Sequence, residues 1–441
     1  MFRLRGPEAR LLAATLRPEA RSFVGVLLVL LLVLGIRLTL PLVLARFVDD
    51  AIAGRSVGSL TALAAGYVIA ALTAETLQLG VTWASVRLSW RSGNRLRERL
   101  AHHATRLEMA WHGKHSPGQL IERIDGDVEA LVVFFTNVLV HVVGNICLTI
   151  GMLVVAFTID PRAGALLSVF ALAGAAVLFR LRVAAVPARE AEREVNAALY
   201  GDLEERLGGL EDLRANGAGD YAVHRLHQHS AASWRASRRA SYLGDGSYAI
   251  AAMTFAAGSV ATLALGFVLH DRGLVTAGQV LALFRYSELL RQPLEVIAEQ
   301  LKEFHKAIAG ARRARQLLST EPTIVDGRLG EQALPPGAAD VRFDGVTLRY
   351  DEDGIPALRD VDLHIPAGGH LGIIGRTGSG KTTLGRLVLR LWDVDEGAVR
   401  IGGVDVRELS NQALRSRVAV VTQDVEVFRA TLRDNLTLLG A

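Results

Sequence analysis

Cysteine and lysine are almost absent from this sequence of 441 residues, which has one cysteine, Cys147, and four lysines, at positions 114, 302, 306 and 381. A single cysteine excludes a disulfide within the chain, and no Cys/His cluster offers a metal site. Cys147 lies inside an apolar stretch, where we expect a small buried thiol rather than a reactive one.

Arginine therefore supplies nearly all of the positive charge behind the formal net charge of +4. A basic balance raises the question of nucleic acid as a partner, but RNP, zinc-finger and helix-turn-helix signatures are missing. The arginines lie between apolar stretches instead, as membrane topology requires. We therefore expect no nucleic-acid partner.

Half of the residues are hydrophobic, and they concentrate before position 300. Six apolar blocks are long enough to be read as membrane helices: residues 23–48, 60–80, 131–158, 163–186, 246–270 and 274–298. The first exceeds the apolar core of a signal peptide, so we expect it to remain as a membrane helix. The sixth is the weakest, because it contains Arg285, Glu288, Arg291 and Pro293.

The basic residues are distributed unevenly between the connections of these blocks. Five arginines precede the first block, eight basic residues lie between positions 87 and 123, and ten lie between 180 and 239. The three short connections hold one each, at Arg55, Arg162 and Arg272. The positive-inside rule then predicts that the N-terminus, both long connections and the C-terminal region are cytoplasmic.

Both long connections have apolar residues at helical spacing, which predicts helices that continue out of the membrane. Glycine and proline interrupt this pattern at residues 116–120, 208–209 and 216–220. We expect long helices joined at their tips by short ones.

The residues beyond 340 have the composition of a soluble domain. Period-two alternation and short apolar runs predict five strands: residues 341–350, 358–366, 370–375, 398–406 and 418–423. KTTLGRLVLRLW, residues 381–392, predicts a helix with Leu384, Leu387, Val388, Leu391 and Trp392 on one face.

GRTGSGKTT, residues 375–383, matches the phosphate-binding pattern G-x-x-x-x-G-K-[ST]. Its glycines allow successive backbone N–H groups to point at phosphate oxygens, and the loop opens a helix whose N-terminus favours negative charge. Lys381 is expected to reach the β- and γ-phosphates, and the Thr382 hydroxyl is placed for Mg²⁺. The predicted nucleotide-binding residues of the loop are Gly375, Arg376, Thr377, Gly378, Ser379, Gly380, Lys381, Thr382 and Thr383.

With these features the chain resembles an ABC exporter half-transporter, in which six membrane helices are fused to an ATP-binding cassette. Tyr350 matches the aromatic residue that stacks on adenine in that family; the alternative is a tyrosine that only packs on its neighbours. Gln423 in VVTQDVEVF matches the Q-loop glutamine, which reaches Mg²⁺. The segments SPGQLIERIDGDVEAL and ERLGGLEDLRANG resemble the two coupling segments, and TAGQVLALFRYSELLRQPL resembles the sixth helix.

The resemblance implies a membrane all-α six-helix exporter domain over residues 1–318, a linker over 319–340, and an incomplete α/β P-loop ATPase domain over 341–441. It implies ATP and Mg²⁺ as cofactors and a multi-pass protein of the plasma membrane. The implied partners are a second half-transporter, as a homodimer or heterodimer, membrane lipid, and an exported substrate that the sequence does not identify.

The family's signature motif, Walker B strand and switch histidine would follow the Q-loop, and the sequence holds none of them. The chain is thus expected to be truncated after the Q-loop, and whether it is an active ATPase stays open. The alternative to an ATP-driven exporter is a hydrolysis-incompetent membrane fragment that binds nucleotide and is inactive or needs a partner cassette. A small-molecule kinase with the same loop is disfavoured by the six apolar blocks.

Four polar residues lie inside the apolar blocks: Arg37, Glu75, His141 and Asn145. Such residues often line a transport pathway. The alternative is a hydrogen bond between neighbouring helices, and the sequence leaves both open.

Overall fold

The structure of the protein, a computed structural model, describes residues 7–350, 354–421, 423 and 427–437. Its contacts divide the chain into two compact units. The helical unit contains residues 1–99 and 123–315, and the cassette unit contains residues 100–122 and 316–441.

Long helices dominate the chain as far as residue 319. In chain order the helices are α1 (Pro7–Leu16), α2 (Ala20–Ile52), α3 (Val57–Ala104), α4 (Met109–Gly113), α5 (Pro117–Ile121), α6 (Asp127–Asn137), α7 (Gly144–Ile159), α8 (Pro161–Gly208), α9 (Leu210–Ala215), α10 (Gly219–Asp271), α11 (Ala277–Leu289) and α12 (Arg291–Ser319). Two π-helical segments, Glu122–Gly126 and Val138–Val143, adjoin α6 on either side. In a π-helix the backbone bonds skip one additional residue, so each segment adds a residue relative to an α-helix.

All six apolar blocks are helical. Among the described residues five helical stretches are long and apolar enough to cross a membrane: Arg10–Ile52, Val57–Ala104, Pro117–Ile159, Pro161–Gly208 and Gly219–Asp271. The sixth block forms α11 and the start of α12, and it does not meet the same criterion. Its charged residues and Pro293 account for this difference from the other five.

The helices α3, α8 and α10 have 48, 48 and 53 residues. At 1.5 Å per residue they are roughly 70–80 Å long, more than twice the ~30 Å of hydrocarbon in a bilayer. They therefore extend well beyond a membrane, as the periodicity of the long connections predicted. α8 ends at Gly208 and α10 begins at Gly219, where glycines interrupt the pattern, whereas α3 ends at Ala104, before the predicted break at residues 116–120. The short helices α4, α5 and α9 lie in the gaps.

A close helix contact in the helical unit joins α2 to the start of α11. The Asp49 carboxylate accepts hydrogen bonds from the Thr276 hydroxyl, at 2.6 Å, and from the Gly278 backbone N–H, at 2.7 Å. A side chain at Gly278 would overlap the carbonyl group of Ala45. Further along α11, the buried Tyr286 hydroxyl donates to the Leu38 carbonyl at 2.6 Å.

A second contact joins α6 to α12. Asp127, the first residue of α6, is only 1% exposed, and both of its carboxylate oxygens accept hydrogen bonds from the Arg313 guanidinium. Gly310, one turn earlier on α12, lies so close that a side chain there would come within 2.9 Å of the Asp127 carbonyl oxygen. The helix that leaves the first predicted coupling segment is thus held to α12 by a buried charge.

The cassette unit contains a four-stranded antiparallel sheet with the order β2-β1-β3-β4. The strands are β1 (Val341–Leu348), β2 (Leu358–Ile365), β3 (Glu396–Ile401) and β4 (Val404–Asp405). Phe343 on the central strand pairs with Leu363 of β2 and Val399 of β3. The described helices of this part are α13 (Lys381–Val388), α14 (Asn411–Arg417) and α15 (Leu432–Thr437). Leu387 of α13 and Leu414 of α14 are buried in the core with the sheet.

Three of the five predicted strands differ from the structure. Residues 398–406 form a hairpin rather than one strand, because Gly402 and Gly403 adopt positive φ of 57° and 80° and reverse the chain. Two adjacent residues at positive φ are typical of the tight hairpin turn. Residues 370–375, and the described residues of 418–423, are not in a strand. A strand requires a neighbour for its ladder, and no described residue pairs with either run.

The predicted linker is hydrogen-bonded along part of its length. Leu329 pairs with Leu409, and the Asp326 carboxylate accepts from the Asn411 backbone at 2.6 Å. Near its start, the Thr320 carbonyl lies 2.9 Å from His103 Nε2. The division of the chain at residues 318 and 340 stays a prediction.

Candidate nucleotide site

The GRTGSGKTT loop follows the irregular segment 370–374 and continues into the first turn of α13, and its conformation depends on glycine. Gly378 and Gly380 have φ of 83° and 85°, values that side-chain-bearing residues rarely adopt. A Cβ on Gly375 would come within 2.5 Å of Ser379 Oγ, and one on Gly380 would come within 2.8 Å of the Ala357 carbonyl oxygen. The loop can therefore hold this shape only with glycines at these positions.

Lys381 begins α13 and folds back over the loop. Its ammonium group donates hydrogen bonds to the carbonyl oxygens of Gly375 and Arg376, both at 2.8 Å, and lies 3.5 Å from Ser379 Oγ. Charge-assisted bonds of this kind are stronger than neutral ones. They place a single positive charge at the centre of the loop, above the N-terminus of a helix.

The two threonines after Lys381 face different environments. Thr382 is exposed, so its hydroxyl is available to a ligand. Thr383 is buried, and its hydroxyl lies 3.0 Å from the Tyr350 hydroxyl. This bond connects the loop to the residue that follows β1, which is the position expected to carry the base-stacking aromatic ring.

Tyr350 belongs to a small aromatic and basic cluster. Its ring meets that of Trp392 edge to face, with centroids 5.3 Å apart, and its hydroxyl accepts from Arg386 Nη1 at 3.3 Å. The Arg386 guanidinium lies over the Trp392 ring at 5.2 Å. More than a third of Tyr350 remains exposed. Arg386 was not predicted as a neighbour of this site, although it follows Thr383 by three residues and so shares its helix face.

Comparison with known protein families identifies the family to which this chain belongs. The model of the ABC transporter transmembrane region matches residues 23–294, which is more than half of the chain, and the ABC transporter model matches residues 358–437. The chain belongs to the ABC transporter family.

Individual relatives agree with this assignment. A multidrug efflux ATP-binding/permease protein of Mycobacterium tuberculosis is 31% identical over 413 residues, covering 91% of this chain and 33% of the relative. The ATP-dependent lipid A-core flippase of Escherichia coli is 27% identical over 364 residues, covering 79% of this chain and 60% of the flippase. This ABC transporter chain thus spans about a third of the first relative and three fifths of the second.

The family assignment has two coarse consequences. The membrane region and the five apolar helices make this ABC transporter chain a multi-pass membrane protein. The ABC transporter model over residues 358–437 implies nucleotide binding, and it contains the whole GRTGSGKTT loop and Gln423. Tyr350 precedes the matched range.

The structure does not connect Gln423 to the rest of the ABC transporter's predicted site. Gln423 is exposed and makes no hydrogen bond within the described part of the chain. The predicted pairing of Thr382 and Gln423 around Mg²⁺ therefore stays a prediction. The neighbouring Val421 is 93% exposed and Ile374 is 99% exposed.

In the membrane part of this ABC transporter chain, two of the four singled-out polar residues contact each other. Arg37 Nη2 of α2 donates to Glu75 Oε1 of α3 at 2.9 Å. Asn145 Nδ2 donates to the His141 carbonyl one turn away at 2.6 Å, a bond within the same helical stretch. The sequence analysis named Arg37 and Glu75 separately and did not predict the pair.

Proposed function

We propose that the chain is the permease and ATP-binding part of an ABC-type exporter that couples ATP binding to outward transport across the plasma membrane. One observation carries the proposal: a loop with the phosphate-binding pattern and two positive-φ glycines opens α13 in the same chain that contains five helices long enough to span a bilayer. The names of the two relatives, a multidrug efflux protein and a lipid A-core flippase, support export.

The residues of the loop fit a nucleotide. The positive-φ glycines leave backbone N–H groups and the α13 N-terminus for phosphate oxygens. Lys381 supplies the positive charge, Thr382 offers an exposed hydroxyl to Mg²⁺, and the ring of Tyr350 offers an exposed face to adenine. Gln423 is proposed as a second ligand of Mg²⁺. ATP supplies the free energy of transport when it is bound.

The Lys381 ammonium group is also hydrogen-bonded within the loop itself. Its bonds to the Gly375 and Arg376 carbonyls use two of its donors without a ligand. An ammonium group has three N–H donors, so a phosphate oxygen can accept the third while these two bonds remain.

We further propose a second half-transporter as partner, in a homodimer or a heterodimer, and cytoplasmic placement of the N-terminus and the cassette unit. The uneven distribution of arginines supports this orientation. The long helices extend beyond the membrane, and the short helices α5 and α9 lie within the two predicted coupling segments, an arrangement that suits transmission of motion to the membrane helices.

A second candidate is a chain that binds nucleotide but does not turn it over alone. The exposed, unpaired apolar runs around Ile374 and Val421 favour it, because both were expected to be sheet strands. Phosphoryl transfer also needs an oriented water and further charge near the γ-phosphate. In this reading a partner cassette supplies those groups.

Replacement of Lys381 tests the proposed function. The full chain in nanodiscs would be titrated with a fluorescent ATP analogue, comparing the parent with Lys381→Ala and with Lys306→Ala. Lys306 is a suitable control, since it pairs with Glu303 on the surface of α12. We expect Lys381→Ala to weaken nucleotide binding about 10- to 100-fold, because the variant loses the charge-assisted hydrogen bonding between the ammonium group and the phosphates. Lys306→Ala should leave the affinity for nucleotide unchanged.

Undiminished nucleotide binding by Lys381→Ala would contradict the assignment of the loop. ATP hydrolysis by the same preparations then separates the two candidates. Turnover by the purified parent chain that disappears in Lys381→Ala would eliminate the binding-only reading. Binding without turnover would eliminate autonomous hydrolysis.

A further inference from the structure

A groove lies where α1 meets the start of α2. Its volume is about 580 Å³, and its lining includes Arg10, Ala13, Arg17, Ala20 and Phe23. Phe23 is the first residue of the first apolar block, which is roughly 39 Å long as a helix, against ~30 Å of hydrocarbon in a bilayer. When that block is centred in the bilayer, the groove lies at the level of the lipid headgroups.

The acidic residues of this N-terminal segment are paired with arginines of other helices. Glu8 Oε1 lies 3.8 Å from Arg312 Nε and 3.8 Å from Arg315 Nη2, both on α12. Glu19 is buried and accepts a hydrogen bond from Arg95 of α3 at 2.8 Å. These pairs hold the segment against two long helices of the same unit. They leave no acidic partner for the arginines that line the groove.

The two arginines of the groove are unpaired. Arg10 and Arg17 are exposed and form no ion pair or hydrogen bond within the part of the chain that the structure describes. Ala13 follows Arg10 by three residues and precedes Arg17 by four, so the three side chains share a face. The short side chain of Ala13 leaves space between the guanidinium groups. The groove therefore combines two positive charges with a small apolar surface.

We propose that this groove binds the headgroup of one anionic phospholipid, with Arg10 and Arg17 on the phosphate and Phe23 beside the start of the acyl chains. The planar guanidinium group presents several N–H donors that match phosphate oxygens. A lipid is favoured over a soluble anion because its acyl chains continue along the first membrane helix into the hydrocarbon.

This inference goes beyond the proposed function, since it concerns a lipid at the membrane surface rather than the nucleotide or the exported substrate. The cytoplasmic placement of the N-terminus proposed above would put the groove in the leaflet whose surface is negative. Charge complementarity with that leaflet then adds to the pairing of each arginine with the phosphate.

The test titrates the full chain in detergent with one lipid at a time and counts bound molecules by native mass spectrometry. Dioleoylphosphatidylglycerol is compared with dioleoylphosphatidylcholine, which has the same acyl chains and no net charge. Glycerol phosphate supplies the anionic group without the chains. We expect one phosphatidylglycerol molecule to bind about tenfold more tightly than either of the other two.

Substitution of the arginines separates the groove from general surface charge. Arg10→Gln and Arg17→Gln should each weaken phosphatidylglycerol binding about fivefold, and the double variant about 25-fold, since one arginine near an anionic headgroup contributes roughly that factor. Arg21→Gln is the matched control. Arg21 is exposed and lies four residues after Arg17, but it does not line the groove. Its replacement should change the affinity by less than about twofold.

A second variant fills the groove and keeps every charge. Ala13 is exposed, so Ala13→Phe should fold, and its ring would occupy the space between the two guanidinium groups. We expect it to weaken phosphatidylglycerol binding about tenfold. Undiminished binding by Ala13→Phe would overturn the assignment of the lipid to the groove.

Equal affinities for phosphatidylglycerol and phosphatidylcholine would also overturn the proposal. A loss in Arg21→Gln as large as that in Arg17→Gln would do the same, because diffuse surface charge predicts equal losses. Glycerol phosphate that binds as tightly as the lipid would identify the occupant as a soluble anion and reject the lipid. Lys381→Ala should bind phosphatidylglycerol like the parent, so failure of nucleotide binding would count against the proposed function alone.

Discussion

Replacing Gly278 by alanine is expected to force α11 away from α2. The new Cβ would overlap the Ala45 carbonyl group and lie 2.7 Å from Asp49 Oδ2. These obstacles cannot simply rotate away, because one is backbone and the other is a carboxylate held by Thr276. Overpacking of this kind costs about 1–3 kcal/mol.

The displacement would also stretch the two hydrogen bonds that Asp49 accepts. Bonds to a charged group contribute about 1.5–3 kcal/mol each, and they are lost only in part when a helix moves. We therefore expect Gly278→Ala to lower the free energy of unfolding by about 3 kcal/mol. Because the unfolding entropy of a unit of roughly 290 residues is about 0.6 kcal/mol/K, this lowers the melting temperature by about 5 °C.

Cys147 provides the assay, because it is the only cysteine and is partly buried against the packed cluster of α2 and α3 residues. A thiol-reactive fluorogenic dye would report its exposure as the protein is heated. Gly201→Ala is the matched control, since nothing lies within 4 Å of a Cβ at that position of α8. There alanine should stabilise by about 0.5–1 kcal/mol through helix propensity. Equal melting temperatures for the two variants would refute the packing argument.

Asp127→Ala should destabilise the helical unit by about 2 kcal/mol. This is less than the roughly 3–5 kcal/mol lost when a fully buried ion pair is broken, because Arg313 is half exposed. Thermal melting of Asp127→Ala, Arg313→Ala and the double variant should show strong coupling between the two residues. Tyr350→Ala should weaken ATP binding by about 1–3 kcal/mol and Tyr350→Phe by much less, since the ring rather than the hydroxyl stacks on the base; equal losses in fluorescence titrations would contradict this. Burial alone would raise the pKa of Asp405, but the hydrogen bonds and charge of Arg407 outweigh it and hold the pKa below the ordinary value of an aspartate. The native carboxylate therefore stabilises the cassette unit above about pH 4, and this contribution is lost as the pH falls through the lowered pKa; Asp405→Asn should flatten that part of the acid denaturation curve, and an unchanged curve would disprove the role.

The helices followed from the sequence because their determinants are local. Hydrophobic spacing predicted α3, α8 and α10, and glycines predicted where α8 ends and α10 begins, but not the end of α3 at Ala104. The loop pattern lies within nine residues and includes two glycines with positive φ, while its nucleotide-binding role stays a prediction. The family resemblance rested on the same residues and is confirmed.

The wrong strand predictions share a physical cause. Alternation and apolar runs describe one strand, whereas a ladder depends on a neighbour that local sequence does not specify. Residues 370–375 have a strand-like composition and no described partner. The hairpin at Gly402 and Gly403 was predictable, because two adjacent glycines between apolar runs are a recognised turn signal.

The contact between Arg37 and Glu75 was also not predicted from the sequence. Each residue was conspicuous in its own apolar block, but their contact depends on how α2 and α3 are rotated and shifted relative to each other. No sequence spacing encodes that relation across a helical hairpin. The same holds for Asp49 and Gly278, which are joined at 2.7 Å although the chain between them forms eight helices.

The π-helical segment Val138–Val143 changes how positions on the two sides of it correspond. One additional residue in a helix rotates everything beyond it by about 100° relative to an uninterrupted α-helix. His141 lies inside this segment, so neighbours of α6 and α7 cannot be assigned by counting three or four residues across it. A homologue that lacks one residue here would show a gap in an alignment and yet superpose on both flanking helices. Deletion of a single residue within the segment would accordingly convert it to α-helix and leave the rest of α7 on its present face.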